Sequence, residues 1–323
     1  MRLRVAQLVV IALVAAILPG CGSSSDRAQR MTLAALNVTA PQTPASAPSG
    51  PKPRCGEVTA SLRPPNVMPA PGAMPAGSFM AKLEHRGYLI AGVDQNTLLF
   101  AYFNPLDGQP EGFEIDLLRE LARAIFGNPN AIQFKAITTA ERILAVQNGS
   151  VDVVADAMTI TCQRRQAVDF STVYFDAGQR VLVPLNSPTS SIRDLGGKRV
   201  CATKGSTSIQ TLQGLVPRPV PYAVAQRTDC LVALQQGLVD AISTDDSILL
   251  GFKAQDPYTK IVGPRLADEP YGMAISKAHP DFVRFVNGVL AHLRTNGTWE
   301  RIYSRWLGKL TPTPAPPAAH YLG

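Results

Sequence analysis

Arg164 has the most specific chemistry in the chain, because a guanidinium is a planar fork that can grip a carboxylate through two parallel hydrogen bonds, a geometry Lys cannot reproduce. It stands in the basic pair Arg164-Arg165, so an exposed surface turn is the competing reading. Thr159, five residues earlier, could add its hydroxyl and backbone N–H to the same carboxylate, the alternative being a buried, self-satisfied Thr. Ala157 could contribute only its backbone. Gly205-Ser206-Thr207 precedes a predicted helix, and free N–H groups at a helix start carry partial positive charge suited to an anion. Ser206 also reads simply as an N-cap, and the two roles are compatible. The order Lys204-Gly205-Ser206 is wrong for a phosphate loop. Asp245-Asp246 precedes an apolar helix, where such a doublet commonly caps, Asp246 being the better placed to do so.

Other chemistries find little support. Glu114 and Asp116 lie two apart at a helix start and cannot share one helical face as a catalytic pair; they are expected to complement the helix dipole. His85, His279, His292 and His320 are dispersed, and the Cys spacings match no zinc site. No nucleophile and His stand in a recognisable pairing. Neither a metal nor a cofactor is expected, nor enzyme activity.

These residues fall among short β-rich runs alternating with amphipathic helices. Strands are predicted at residues 88–93, 132–137, 151–155, 180–185, 198–202, 220–224 and 241–244. Helices are predicted at 113–126, 139–148, 206–215, 228–236 and 247–255, and a last helical stretch at 281–307 is broken at Asn296-Gly297. Such alternation argues for an α/β fold with mostly parallel open sheets, whose ligands lie outside the carboxyl ends of the strands. Asp94 follows the first strand and could line the mouth of a site, with Gln95 and Asn96 nearby.

The chain has 323 residues, 46% of them hydrophobic, enough for about two domains. Its formal charge of +7 is scattered rather than clustered, so no nucleic-acid partner is expected. Arg2 and Arg4 precede an apolar stretch at residues 5–18, shorter than the roughly 20 residues of a spanning helix and suited to an export signal. Leu18-Pro19-Gly20-Cys21 is similar to a bacterial lipobox, although Pro19 is uncommon there, and Cys21 is the expected acylation site; the alternative is an incidental thiol beside an ordinary cleavage site. Residues 22–77 are rich in Pro, Ala and Ser and are expected to form a tether, and the tail 311–323 is similarly Pro-rich. Four cysteines remain in a chain bound for an oxidising compartment. Of the three possible pairings, Cys201 with Cys230 and Cys55 with Cys162 are favoured, since the first two fall on neighbouring elements of one predicted lobe.

Gly112-Phe113-Glu114-Ile115-Asp116-Leu117, Asp156-Ala157-Met158-Thr159-Ile160-Thr161 with Arg164, and Thr244-Asp245-Asp246 together resemble the family 3 extracytoplasmic solute-binding proteins, the polar amino-acid receptors of ABC importers. The Cys pattern, residues 229–246 and the Pro-rich tail resemble most the glutamine/glutamate-binding lipoproteins of actinobacteria, particularly mycobacteria. The resemblance implies a type II periplasmic-binding-protein fold: two α/β lobes, here residues 78–180 with 265–310 and residues 181–264, joined by crossover strands near 179–183 and 263–267. It implies that Arg164 holds the ligand's α-carboxylate, helped by Thr207, and that Asp245 accepts the α-ammonium. Closure strips water from both charges of a zwitterion, and each then needs a partner. Receptors for glutamate and aspartate place an Arg where Arg142 stands, which implies an acidic ligand, with asparagine and glutamine as further candidates; a surface pairing of Arg142 with Glu141 or Glu114 is the alternative. Tyr174 and Tyr271 are expected to support the lobe or the hinge. The expected molecule is a lipid-anchored monomer on the outer face of the cytoplasmic membrane that presents its amino acid to an ABC permease or a transmembrane sensor. The rival is an exported enzyme on the same fold, similar to cyclohexadienyl dehydratases.

Overall fold

The computed structural model describes residues 56–322. The export segment, Cys21 and Cys55 lie outside the described residues, and with them the expected acylation site and one end of the second expected disulfide.

Lobe 1 opens with α1 (Phe79–Arg86) and β1 (Leu89–Val93), followed by a small antiparallel sheet of β2 (Asn96–Thr97), β3 (Ala101–Phe103) and β4 (Pro110–Glu111). Helix α2 (Phe113–Phe126) starts where it was expected because Ile115, Leu118, Leu121, Ala122 and Ile125 recur on one face and are buried. Gly112 before it has φ 135°, and a Cβ there would lie 2.1 Å from the Phe100 carbonyl oxygen, so only glycine fits. The lobe continues through β5 (Ile132–Ala136), α3 (Arg142–Gln147), β6 (Val153–Val154), α4 (Cys162–Ala167) and β7 (Asp169–Phe170). Strand β8 (Phe175–Pro184) crosses to lobe 2, which contains β9 (Arg199–Thr203), α5 (Thr207–Gly214), β10 (Val220–Val224), α6 (Arg227–Gln235), β11 (Ala241–Asp245) and α7 (Asp246–Gln255). Strand β12 (Thr259–Tyr271) returns, and β13 (Ala274–Ile275), α8 (Pro280–Thr295) and α9 (Thr298–Trp306) complete lobe 1. Gly297, in the left-handed conformation, separates the last two helices at the expected break.

The two sheets have the orders β5-β1-β6-β13-β7 and β10-β9-β11-β8-β12. They are mixed rather than mostly parallel. In each, three neighbouring strands run parallel, and the strands next to the interlobe connections run antiparallel. A chain that leaves a lobe and comes back must reverse direction, and helix-strand alternation does not record that reversal.

The crossing also lies elsewhere than expected. Strand β8 joins the lobe 2 sheet through β11 from Gln179 onward, so the connecting segments are residues 175–178 and 268–271, paired from Phe175 with Tyr271 to Gly178 with Asp268. The same strand serves first as hinge and then as sheet, and its composition does not mark the change. Phe175 packs there against Phe100, Phe113 and Tyr271, with ring centroids 5.0, 5.4 and 5.7 Å away.

The expected tether does not extend to residue 77. Ala60, Ser61 and Met74 are buried, and Arg165 donates to the carbonyls of Val58 and Ala60. The Asn287 side-chain amide donates to Ser61 Oγ and the Leu62 carbonyl at 2.8 and 2.7 Å. The tail is held too: Ser61 forms a parallel bridge with Tyr321, and Arg294 Nε donates to the Pro317 carbonyl at 2.9 Å. Proline density excludes helix and sheet, but it does not prevent side-chain donors from satisfying an extended segment's carbonyls. Cys201 and Cys230 form the expected disulfide, linking β9 to α6, and Cys162 is disulfide-bonded.

Candidate functional site

The site residues follow the carboxyl ends of parallel strands, where an open α/β sheet leaves a crevice. Asp94 follows β1, Asp156 follows β6, Ser206 and Thr207 follow β9, Arg227 follows β10 and Asp245 ends β11. Arg142 opens α3 and Arg164 lies in α4. Seven of the eight expected ligand residues, Arg142, Ala157, Thr159, Arg164, Ser206, Thr207 and Asp245, line one cavity between the lobes. It measures about 10 Å³, the room of roughly one water, so this is a closed cleft.

Arg164 is 8% exposed, which removes the surface-turn reading. Its Nη1 donates to the Thr159 carbonyl at 2.7 Å and its Nη2 to the Gly205 carbonyl of lobe 2 at 3.1 Å. Those bonds use two of the five N–H groups of a guanidinium. Burial, then the nearby charge of Arg142, pulls its pKa down to about 9, so it stays cationic at neutral pH.

Asp245 sits opposite. Tyr271 donates its hydroxyl to Oδ2 at 2.6 Å, whereas Oδ1 is buried without a hydrogen-bond partner among the described residues. Burial and then the neighbouring Glu269 raise the Asp245 pKa to about 7. Tyr271 therefore supports the hinge, as expected, and also orients this acid.

Four expected contributors are already committed elsewhere. Ala157, at φ 43°, gives its N–H to Glu114 Oε1 at 2.7 Å, and its carbonyl accepts from Arg142 at 3.3 Å. The hydroxyls of Thr159 and Thr207 both donate to Glu269 Oε2, the second at 2.8 Å. Ser206 caps α5, accepting from the Ile209 N–H at 3.2 Å.

The far end of the cleft is an ion-pair cluster. Arg227 Nη1 meets Asp94 Oδ2 at 2.8 Å and Asp156 Oδ1, and its Nη2 donates to the Asp156 carbonyl at 3.0 Å. Burial alone would lower the Arg227 pKa, but Asp156 and Asp94 more than offset it and raise it. Asp94 thus lies beneath Arg227 rather than at the mouth; its Oδ1 accepts from the N–H groups of Asn96 and Thr97. Arg142 is buried, not surface-paired. It donates to the carbonyls of Thr139, Asp156 and Ala157, and its Nε lies 3.8 Å from Asp156 Oδ2.

Glu114 stands in the first turn of α2, as expected, but it is also part of the buried site. It is 1% exposed, and Tyr174 donates to its Oε1 alongside Ala157. Burial, then the charge of Asp156, raises its pKa to about 7 against those two hydrogen bonds. Arg227 and Glu269 were missed because each stands in an ordinary context, a helix start and a strand. The usable signal for Arg227 was its place just after a parallel strand, the position shared by the other site residues.

Against known proteins, the model of the bacterial extracellular solute-binding proteins, family 3, matches residues 89–309. The ABC transporter glutamine-binding protein GlnH of Bacillus subtilis is 36% identical over 229 residues, covering 71% of this chain and 84% of that protein. The glutamine-binding protein of Geobacillus stearothermophilus is 37% identical over 206 residues, covering 64% and 79%. Among solved structures, an ancestral arginine-binding protein bound to glutamine is 33% identical with a TM-score of 0.64, covering 69% of this chain and 99% of that one. The crossing strands, the cleft at the strand ends and these matches agree, and the chain belongs to the bacterial extracellular solute-binding proteins of family 3.

Proposed function

We propose that this protein is an extracytoplasmic receptor that captures a polar amino acid between its lobes and presents the closed form to an ABC permease, without chemical conversion. The observation that carries this reading is Asp245 Oδ1, a buried carboxylate oxygen with no donor among the described residues, in the same cavity wall as Arg164. A zwitterion fits that pair: its ammonium supplies donors to Asp245, and its carboxylate takes the remaining N–H groups of Arg164, helped by the start of α5. Ligand contacts to both lobes favour the closed form, and closure is the signal to the membrane partner. The export signal and the lipobox-like Leu18-Pro19-Gly20-Cys21 support an acyl anchor at Cys21.

The side-chain end favours an amide, glutamine first, over the acidic ligand that Arg142 implies by resemblance. Arg142 and Arg227 are balanced there by Asp94 and Asp156, so a ligand carboxylate would add an uncompensated buried charge. A cationic side chain would find Asp94 paired with Arg227 and Asp156 shared between Arg227 and the nearby Arg142, although Asp156 Oδ2 receives no hydrogen bond among the described residues. An amide brings one acceptor and two donors, matching a mixed arginine-carboxylate wall at no cost in charge. Names of relatives that bind glutamine agree with this ordering.

Calorimetry with L-glutamine, L-asparagine, L-glutamate, L-aspartate and L-arginine tests the reading, L-glutamine being expected to bind most tightly. Arg164→Ala should weaken binding at least about a hundredfold, since it leaves a dehydrated carboxylate unpaired. Unchanged affinity in that variant, or a wild-type protein that binds none of the common amino acids, would refute it.

A further inference from the structure

The hydroxyls of Thr159 and Thr207 each carry one proton, and both are given to Glu269 Oε2. Neither hydroxyl can then serve a ligand carboxylate at the same time. Glu269 lies on β12 at the hinge, buried, and it touches Thr159 of lobe 1 and Thr207 of lobe 2. Its other oxygen, Oε1, receives no hydrogen bond among the described residues.

Asp245 has the same arrangement. One oxygen is fixed by the Tyr271 hydroxyl at 2.6 Å, and the other is unpartnered. Tyr271 and Glu269 are two residues apart on one strand, so their side chains point to the same side. The Tyr271 hydroxyl that reaches Asp245 and the Glu269 carboxylate therefore lie on one side of β12, and Glu269 meets the cavity wall through Thr159 and Thr207, which line it. After burial, the charge of Glu269 is the main influence that raises the Asp245 pKa, as a like charge does at short range.

An α-ammonium has three N–H donors, and a buried one needs more acceptors than a single carboxylate oxygen provides. Resting on the reading of Asp245 and Arg164 as the two ends of a zwitterion site, we infer that Glu269, anchored by Thr159 and Thr207, is a second acceptor for the ligand's α-ammonium. The pair of threonines thus positions an acid for the ammonium instead of gripping the carboxylate. The site should in consequence discriminate strongly against ligands that lack the primary amine.

Glu269→Gln tests this, because the amide oxygen can still accept from both threonines while the charge is lost. Dissociation constants are measured for L-glutamine and for 4-carbamoylbutanoate, the same molecule without its amine, in wild type and variant. The expected result is a loss of about tenfold or more for L-glutamine, the scale of a charged hydrogen bond. The affinity for the des-amino compound should hold or improve, and the unfolding temperature of the ligand-free variant should stay near the wild-type value. Equal losses for both ligands would reduce Glu269 to a structural tie between lobes. Tighter binding of both would mean that it competes with the ligand carboxylate for the threonines, and either result overturns the inference while leaving the receptor reading intact. Failure of the wild type to bind any amino acid would instead overturn the reading on which it rests.

Discussion

The two ends of the cleft are built on opposite principles. At the zwitterion end, Arg164 has N–H groups to spare and Asp245 Oδ1 has no partner among the described residues, so the chemistry is left open to a ligand. At the side-chain end, Arg227, Asp94, Asp156 and Arg142 balance one another's charges across the two lobes, and only Asp156 Oδ2 among their carboxylate oxygens is left buried without a hydrogen bond among the described residues. On the proposed reading, the first end meets a demand that every amino acid makes, and the second sets what else the molecule admits and, by bridging the lobes, contributes to closure.

Removing Arg227 breaks the comparison most severely. In the closed form, Arg227→Ala would leave Asp94 and Asp156 buried without their cation, a cost of about 3 to 5 kcal/mol. The protein can escape that cost by opening and letting water reach both acids. The variant is therefore expected to show a larger radius of gyration in small-angle scattering and a loss of L-glutamine affinity of roughly a hundredfold or more. An unchanged radius with unchanged affinity would mean that the side-chain end plays no part in closure.

Acidity separates the ends with a smaller effect. Asp245 and Glu114, ordinarily at 3.8 and 4.5, are both raised to about 7 in the folded protein, first by burial. Between those values the native state holds protons that the unfolded chain has released, so ligand-free stability should fall as pH rises from about 4 to about 7. An ammonium beside Asp245 favours its carboxylate and reverses the sign for that group: binding should expel a proton, and affinity should rise with pH over the same window. Thermal unfolding between about pH 5 and about pH 8, with and without L-glutamine, reads both trends. Asp245→Asn should remove the ligand-linked part together with its own share of the ligand-free trend, and Glu114→Gln the remaining share of that trend. If neither variant alters its own trend, the burial of these acids does not govern the pH response.

Much of this organisation is legible in the sequence, and unevenly so. The period of Ile115, Leu118, Leu121, Ala122 and Ile125 fixes α2, and Asn296-Gly297 breaks the last helices where expected. Arg164 and Asp245 stand out only when the family resemblance is added, because a basic pair and an acidic doublet before a helix also read as a surface turn and a cap. Arg227 and Glu269 do not stand out, because their importance comes from partners far away in the chain: Asp94 is 133 residues from Arg227, and Thr159 is 110 from Glu269. Arg142 shows the limit from the other side. Its identity suggested an available cation, and only its contacts with three backbone carbonyls and its approach to Asp156 show that much of it is already committed. The packing of residues 56–77 was hidden likewise, since a Pro-rich segment is ordered here by donors such as Arg165 and Asn287 from elsewhere.

The mildest perturbation concerns the residue where both ends meet. Ala157 takes φ 43°, a left-handed conformation that costs a non-glycine residue about 1 kcal/mol or more. It is held there because Glu114 takes its N–H while Arg142 takes its carbonyl, and a relaxed backbone would forfeit both. Ala157→Gly would adopt the same turn without the Cβ penalty, but it would give the unfolded chain more freedom, an opposing effect of roughly the same size. The net change in denaturant unfolding should stay within about 1 kcal/mol, with affinity preserved. Ala157→Val keeps the left-handed demand and adds a branched side chain, so it should destabilise by more than the glycine variant does. If valine were tolerated as well as glycine, the turn would not be strained, and the backbone contacts of Ala157 would not be what holds Glu114 and Arg142 in register.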